Sequence, residues 1–233
     1  MSTQIIDLLK KLRHEALARG LKAMIYYHEE DSYLMRFANS AISLNTNEHL
    51  VRLDMLAFED RRQVSYSIIV DPADFATMLE GLDKLTEMLP HAEPLSYDPT
   101  FPVYATDVVD DRAYDPALAA LTNQERLDYF NTLAQGLESA DVKLSGIFSS
   151  GTTTTAQINT ANEHTQLFRA TDAQITAVLS SESLKWEVNA EQSAQKKSDL
   201  DAAALHADLA LLVKHYQEDP AVQLPVGKYT VVL

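Results

Sequence analysis

The 233-residue chain is 46% hydrophobic, 23% charged and 8% aromatic, an ordinary globular make-up that excludes a disordered or fibrous protein. Its 19 Lys and Arg against 34 Asp and Glu leave a formal charge of −15, which repels phosphate backbones and argues against direct nucleic-acid binding. With no cysteine there is no disulfide, thiol nucleophile or thiolate metal site, and packing alone must hold a fold suited to a reducing compartment.

The N-terminal 19 residues are charged throughout and lack a signal-type apolar core, and no run of about 18 apolar residues occurs. The chain therefore reads as cytoplasmic, with no membrane partner. Ile5, Leu8, Leu9, Leu12 and Ala16 recur at helical spacing before Gly20, which predicts an amphipathic helix over residues 3–19. Alternating stretches follow at 23–27, 33–37, 51–55 and 64–68, separated by polar residues 28–32 and 59–62 that read as turns. Four strands in antiparallel pairing are expected.

Asp71-Pro72-Ala73-Asp74 has the composition of a helix start, and Phe75, Met78, Leu82, Leu85 and Leu89 supply its apolar stripe up to Pro90. Residues 1–92 thus form a first α+β module. Residues 93–121, with Pro94, Pro99, Pro102 and Pro116 among acids, read as a connecting strap. Thr122-Asn123-Gln124-Glu125 is a capping box that opens a second α+β module, 122–221. It contains a helix, β-favouring runs at 142–149, 153–160, 166–169, 173–179 and 184–188, and a final helix over 198–215 with Leu205, Leu209, Leu212 and Tyr216 inward. The fold class is α+β: antiparallel or mixed sheets packed against helices in two-layer modules, with no residue-level repeat between them. Residues 222–233 end in a β-type apolar run, which suggests the start of a further C-terminal domain.

No catalytic motif emerges. His14-Glu15 and His28-Glu29 lack a second His at metal-helix spacing, and His206 and His215 face different sides of one helix. Residues 149–155 contain one Gly and no following Lys, so they read as a strand-linking turn rather than a phosphate loop. Glu29-Glu30-Asp31 and Asp110-Asp111 read as solvated turn acids. Arg36, Asn39 and Ser40, at a strand exit, could meet a peptide carboxylate or backbone, or form a plain polar turn.

The stretch Arg36-Phe37-Ala38-Asn39-Ser40-Ala41-Ile42 resembles an Arg-x-x-x-Ser-x-Ile signature of the TldD/PmbA family, also called modulators of DNA gyrase, whose members are similar to zinc metallopeptidases. Residues 159–173, the Trp186 stretch, the Ala-rich 202–213 segment and the run Pro225-Val226-Gly227-Lys228-Tyr229 fall in the family's order. Two departures are the missing Gly around Glu59-Asp60-Arg61-Arg62 and the Val226 that splits the Pro-Gly pair. The resemblance implies the non-catalytic N-terminal region of a zinc metallopeptidase-like protein, forming a homo- or heterodimer and enclosing a peptide or unfolded polypeptide against Arg36, Asn39 and Ser40. It places the zinc motif, His-Glu-x-x-x-His, in a C-terminal domain, so no residue here is a metal ligand and this chain alone is expected to be inactive. A free-standing binding or regulatory protein without the catalytic domain is the alternative. The sequence does not name the substrate or any role with gyrase.

Overall fold

The computed structural model describes residues 2–218 and 223–230. Helix α1 (Ser2–Ala18) is followed by strands β1 (Lys22–Ala38), β2 (Ala41–Glu59) and β3 (Arg62–Ile69) and helix α2 (Phe75–Met88). Then come β4 (Val108–Ala113), the short α3 (Pro116–Ala119), α4 (Asn123–Ala134), β5 (Val142–Asn159), β6 (Gln166–Ser181), β7 (Trp186–Ala194) and α5 (Ala202–Glu218). All seven strands form one sheet in the order β3-β2-β1-β5-β6-β4, with β7 also on β6. Pairing is antiparallel except between β4 and β6. The α+β class with a mixed sheet against helices is what the sequence predicts.

Alternation decides which face is covered. On β1, Ala23, Ile25, Tyr27, Met35 and Phe37 are buried, and their partners Met55, Leu53, Ile158 and Phe148 are buried beside them. One face of the sheet therefore carries two apolar clusters: one under α1 and α2, built on Leu9, Leu12, Met78 and Leu82, and one under α3, α4 and α5, built on Leu118, Phe130, Leu133 and Leu209. Each fully buried side chain of this size stabilises by about 1.5–3 kcal/mol. Among the described residues, no helix packs on the opposite face.

Three expected breaks are not breaks. Residues 28–32 continue β1, so the four expected N-terminal strands are three; residue 151 continues β5 and residue 172 continues β6. Polar residues persist in these strands because both neighbours supply backbone partners: Glu29 pairs with Val51 on β2 and Thr154 on β5. Gly151 marks a close approach instead of a turn, since a Cβ there would lie 2.7 Å from the Asp31 carbonyl oxygen. Nor is Glu29 a solvated turn acid: it is buried, while Asp110 and Asp111 lie within β4.

Helix ends show similar adjustments. The α2 cap is Asp74, which accepts from the Thr77 amide at 3.1 Å, while Asp71 closes a turn before it by accepting from the Ala73 amide. At α4 the capping box is present, Thr122 Oγ1 accepting from the Glu125 amide and the Thr122 amide donating to Glu125 Oε2. Asp201 accepts from the Ala204 amide at the start of α5, four residues later than the sequence suggests. Leu205 and Leu209 face inward on α5, whereas Leu212 and Tyr216 keep much of their surface exposed, the Tyr216 ring stacking on Trp186 of β7 at 6.0 Å.

The expected strap, 93–121, holds β4 and α3 within it. Its first part crosses the uncovered sheet face at one end: Phe101 packs edge-on against Phe58 at 5.0 Å, and the buried Asn159 donates to the Pro102 carbonyl at 2.9 Å. Residues 223–230 form no strand, and residues 231–233 of the expected terminal strand lie outside the described residues. Among the described residues no helix is long and apolar enough to cross a membrane.

The sheet also depends on Gly146, whose φ is +156° and where a Cβ would lie 2.1 Å from the Thr176 carbonyl oxygen and 2.8 Å from the Phe37 ring. Gly146→Val is expected to destabilise the protein by at least about 3 kcal/mol, because the nearest obstacle is backbone that cannot turn aside. Chemical denaturation of both proteins measures it, and a difference within experimental error would contradict this account.

Candidate functional site

The β1–β2 hairpin extends beyond its helices. From Ala41 to His49 every residue of β2 is exposed, including Ile42 and Leu44, which are both 41% accessible. This stretch pairs with β1 on one side only, because β3 reaches just Arg52 to Glu59. Nine residues of strand thus offer one unpaired edge, and backbone donors and acceptors there are satisfied only by water or an incoming strand.

At the hairpin tip Asn39 and Ser40 both adopt positive φ, +50° and +66°, the pattern of a tight two-residue hairpin turn that Asn tolerates well. Ser40 is half-buried and tied to β5: its amide donates to the Leu144 carbonyl at 2.9 Å, and its Oγ accepts from the Leu144 amide at 3.4 Å. Arg36 is exposed on the uncovered face, its carbonyl accepting from Ser43 Oγ at 3.2 Å. Among the described residues its guanidinium has no partner. The structure therefore brings Asn39 and Ser40 together as turn residues beside the free edge and leaves the Arg36 cation available a short way down the arm.

The root of the arm holds a cluster absent from the sequence analysis. The Tyr27 hydroxyl donates to Glu29 Oε2 at 2.9 Å, and His49 Nε2 lies 3.0 Å from Glu29 Oε1. Glu29 is 8% accessible and Tyr27 is 3% accessible, so this carboxylate sits against the core with a phenol and an imidazole as partners. Burial, reinforced by Glu29, pushes the Tyr27 phenol above its ordinary value, and the hydrogen bond that His49 donates to Glu29 raises the imidazole's pKa above its ordinary value. The signal was present in the sequence: Glu29 shares parity with Ile25 and Tyr27 once the strand runs unbroken.

A second buried charge braces the arm from the helical side. Arg126 on α4, 3% accessible, stacks over the Tyr33 ring at 4.4 Å and donates to the Leu121 carbonyl, Ser150 Oγ and Asn123 Oδ1. Burial lowers its pKa. Among the described residues no group of three or more His, Asp or Glu side chains is placed to hold a metal ion.

Because the folded pKa of His49 is raised, its contribution to stability is fully present below the unfolded value of 6.5 and is lost as pH rises through the folded value. His49→Gln is therefore expected to destabilise the protein most near about pH 6, and by under about 1 kcal/mol because the imidazole is half-exposed; near about pH 9 the two proteins should match. Urea denaturation at the two pH values checks this, and a larger difference at the higher pH would contradict it.

No protein-family model and no curated protein matches the sequence. Solved structures do. A Bacteroides thetaiotaomicron protein named as a modulator of DNA gyrase superposes with a TM-score of 0.72 at 13% identity, over 90% of this chain and 49% of that one. TldE from Thermococcus kodakarensis gives 0.70 at 9% identity, over 91% and 47%. A Thermotoga maritima protein, also named as a modulator of a DNA gyrase, gives 0.64 at 12% identity, over 88% and 46%. The chain thus spans about half the length of these structures, and what it shares with them, at such identities, is a TldD/PmbA-like fold.

Proposed function

We propose that this chain is a non-catalytic scaffold of a TldD/PmbA-like protein that engages an extended peptide or unfolded polypeptide. The observation that carries the reading is the free β2 edge over residues 41–49. An extended chain added to such an edge gains main-chain hydrogen bonds whatever its sequence, so it suits the capture of unfolded polypeptide. Asn39 and Ser40 hold the hairpin that presents the edge, and Arg36 offers a guanidinium for a peptide carboxylate or carbonyl. Pairing with a second copy or a related subunit would enclose the bound segment. In this reading zinc and peptide hydrolysis belong to portions of a family-like protein other than these 233 residues, and the work of this chain is to hold the peptide.

Binding of a fluorescein-labelled, unstructured twelve-residue peptide, followed by anisotropy, tests the reading. Ile42→Lys combined with Leu44→Lys places two charges on the free edge, a substitution that blocks strand addition, and is expected to weaken binding at least about tenfold. Both positions are exposed, so folding should be unchanged. Unaltered affinity in the double variant, or no binding by the parent protein, would sink the proposal.

A further inference from the structure

The sheet face that no helix covers carries a trough. Along β5 its outward residues are small, Thr155, Thr153, Gly151 and Ser149, while the flanking strands raise taller banks: Tyr26, His28 and Glu30 on β1 and Phe168 and Asp172 on β6. Hollows of about 510, 390 and 260 Å³ follow one another on this floor, the first two sharing Thr155 and Phe168 and the last two sharing Thr153. At one end the strap closes the trough, with Phe101 on Phe58 and the Tyr104 phenol close enough to Tyr26 to feel it. From Tyr26 to Leu34 the floor runs about 27 Å along the strands, the length of an extended octapeptide. Residues 149–155, read from sequence as a turn, are the floor itself.

Charge selects the occupant. The three arginines in the lining are already engaged, Arg52 by Asp54 at 2.9 Å, Arg112 by Asp110 at 2.6 Å, and Arg169 by Asp111 at 3.7 Å with its guanidinium over the Tyr114 ring. Among the described residues Glu30 has only His28, at 3.5 Å, and Asp172 has no hydrogen-bond or ion-pair partner. Glu30 sits opposite Thr153 and Asp172 opposite Gly151, so the two carboxylates lie diagonally across β5, and both line the innermost hollow. Desolvation by the surrounding protein, with Glu30 nearby, raises the pKa of Asp172, although the residue itself stays exposed. We propose that the trough is a docking site for a basic, extended polypeptide segment, its lysine or arginine side chains seated between Glu30 and Asp172 and its apolar side chains against Tyr26 and Phe168. The proposal rests on the peptide-engaging reading above and adds both a charge class and a second contact surface to it.

Two fluorescein-labelled unstructured twelve-residue peptides, alike except that one carries four lysines and the other four glutamates, separate the possibilities by anisotropy on the full chain. The lysine peptide is expected to bind at least about fivefold more tightly, an advantage that shrinks as salt is raised. Glu30→Gln with Asp172→Asn is expected to abolish that advantage, and Thr153→Trp, which fills the floor, to weaken the lysine peptide by a similar factor. Asp7→Asn with Glu80→Gln removes the same charge from the helical face and should leave the preference intact. Equal binding of the two peptides, or a preference that follows net charge in both double variants alike, overturns the trough while leaving the free-edge reading in place. Failure of both peptides to bind overturns both readings.

Discussion

The architecture depends on the unbroken pairing of β1 with β5, from Met24 opposite Asn159 to Phe37 opposite Gly146. This pair joins the first three strands to the last four, and it brings the two apolar clusters onto one face. Were β1 and β5 to part, α1 and α2 would cover one small sheet and α4 and α5 another, each with an open edge and half a core. Two small residues make the contact possible. Gly146 leaves room for the Phe37 ring and the Thr176 carbonyl, and Gly151 for the Asp31 carbonyl. Where β5 reads Ser149-Ser150-Gly151 local propensity is weak, and the strand continues there because it is paired on both flanks.

That is also why element types were more legible in the sequence than element lengths. Apolar periodicity located every helix longer than four residues, and the capping box at Thr122 placed the start of α4 to the residue, because caps and stripes are local patterns. The strands were cut short wherever Gly, Asp or an acidic run interrupted alternation, at 28–32, 151 and 172. Such residues end a strand only when nothing pairs with them, and pairing is a non-local property no window of sequence displays. Likewise β4, with Asp110, Asp111 and Arg112, has few strand-like side chains; it exists because β6 offers an edge and Asp107 fastens its approach by accepting from the Thr165 amide and hydroxyl. The fold likeness to TldD/PmbA-type structures was legible through motif order even at identities of 9–13%.

The site was legible only in part. Arg36, Asn39 and Ser40 were picked out by residue type at a strand exit, and the hairpin there is real, but the turn conformation accounts for Asn39 and Ser40 before any ligand does. The larger feature beside them, an exposed strand with one free edge, follows from β3 being shorter than β2, which again only the register reveals. Glu29 was misassigned because its run of acids suggested solvent. Its burial beside Tyr27 shows that a single carboxylate can lie against a core when two neighbours supply hydrogen bonds.

The two surfaces differ in what they can recognise. A free strand edge discriminates little, since main-chain groups are common to all peptides, while a trough flanked by two carboxylates discriminates by charge. A chain of net charge −15 repels acidic polypeptides before contact and attracts basic ones. Yet a diffuse field of that kind is screened beyond about 10 Å at moderate salt. Selectivity that survives screening must come from carboxylates in close contact with the bound chain, and in the proposed trough Glu30 and Asp172 would supply it: they lie on an uncovered face, above a floor kept low by Gly151 and its threonine neighbours.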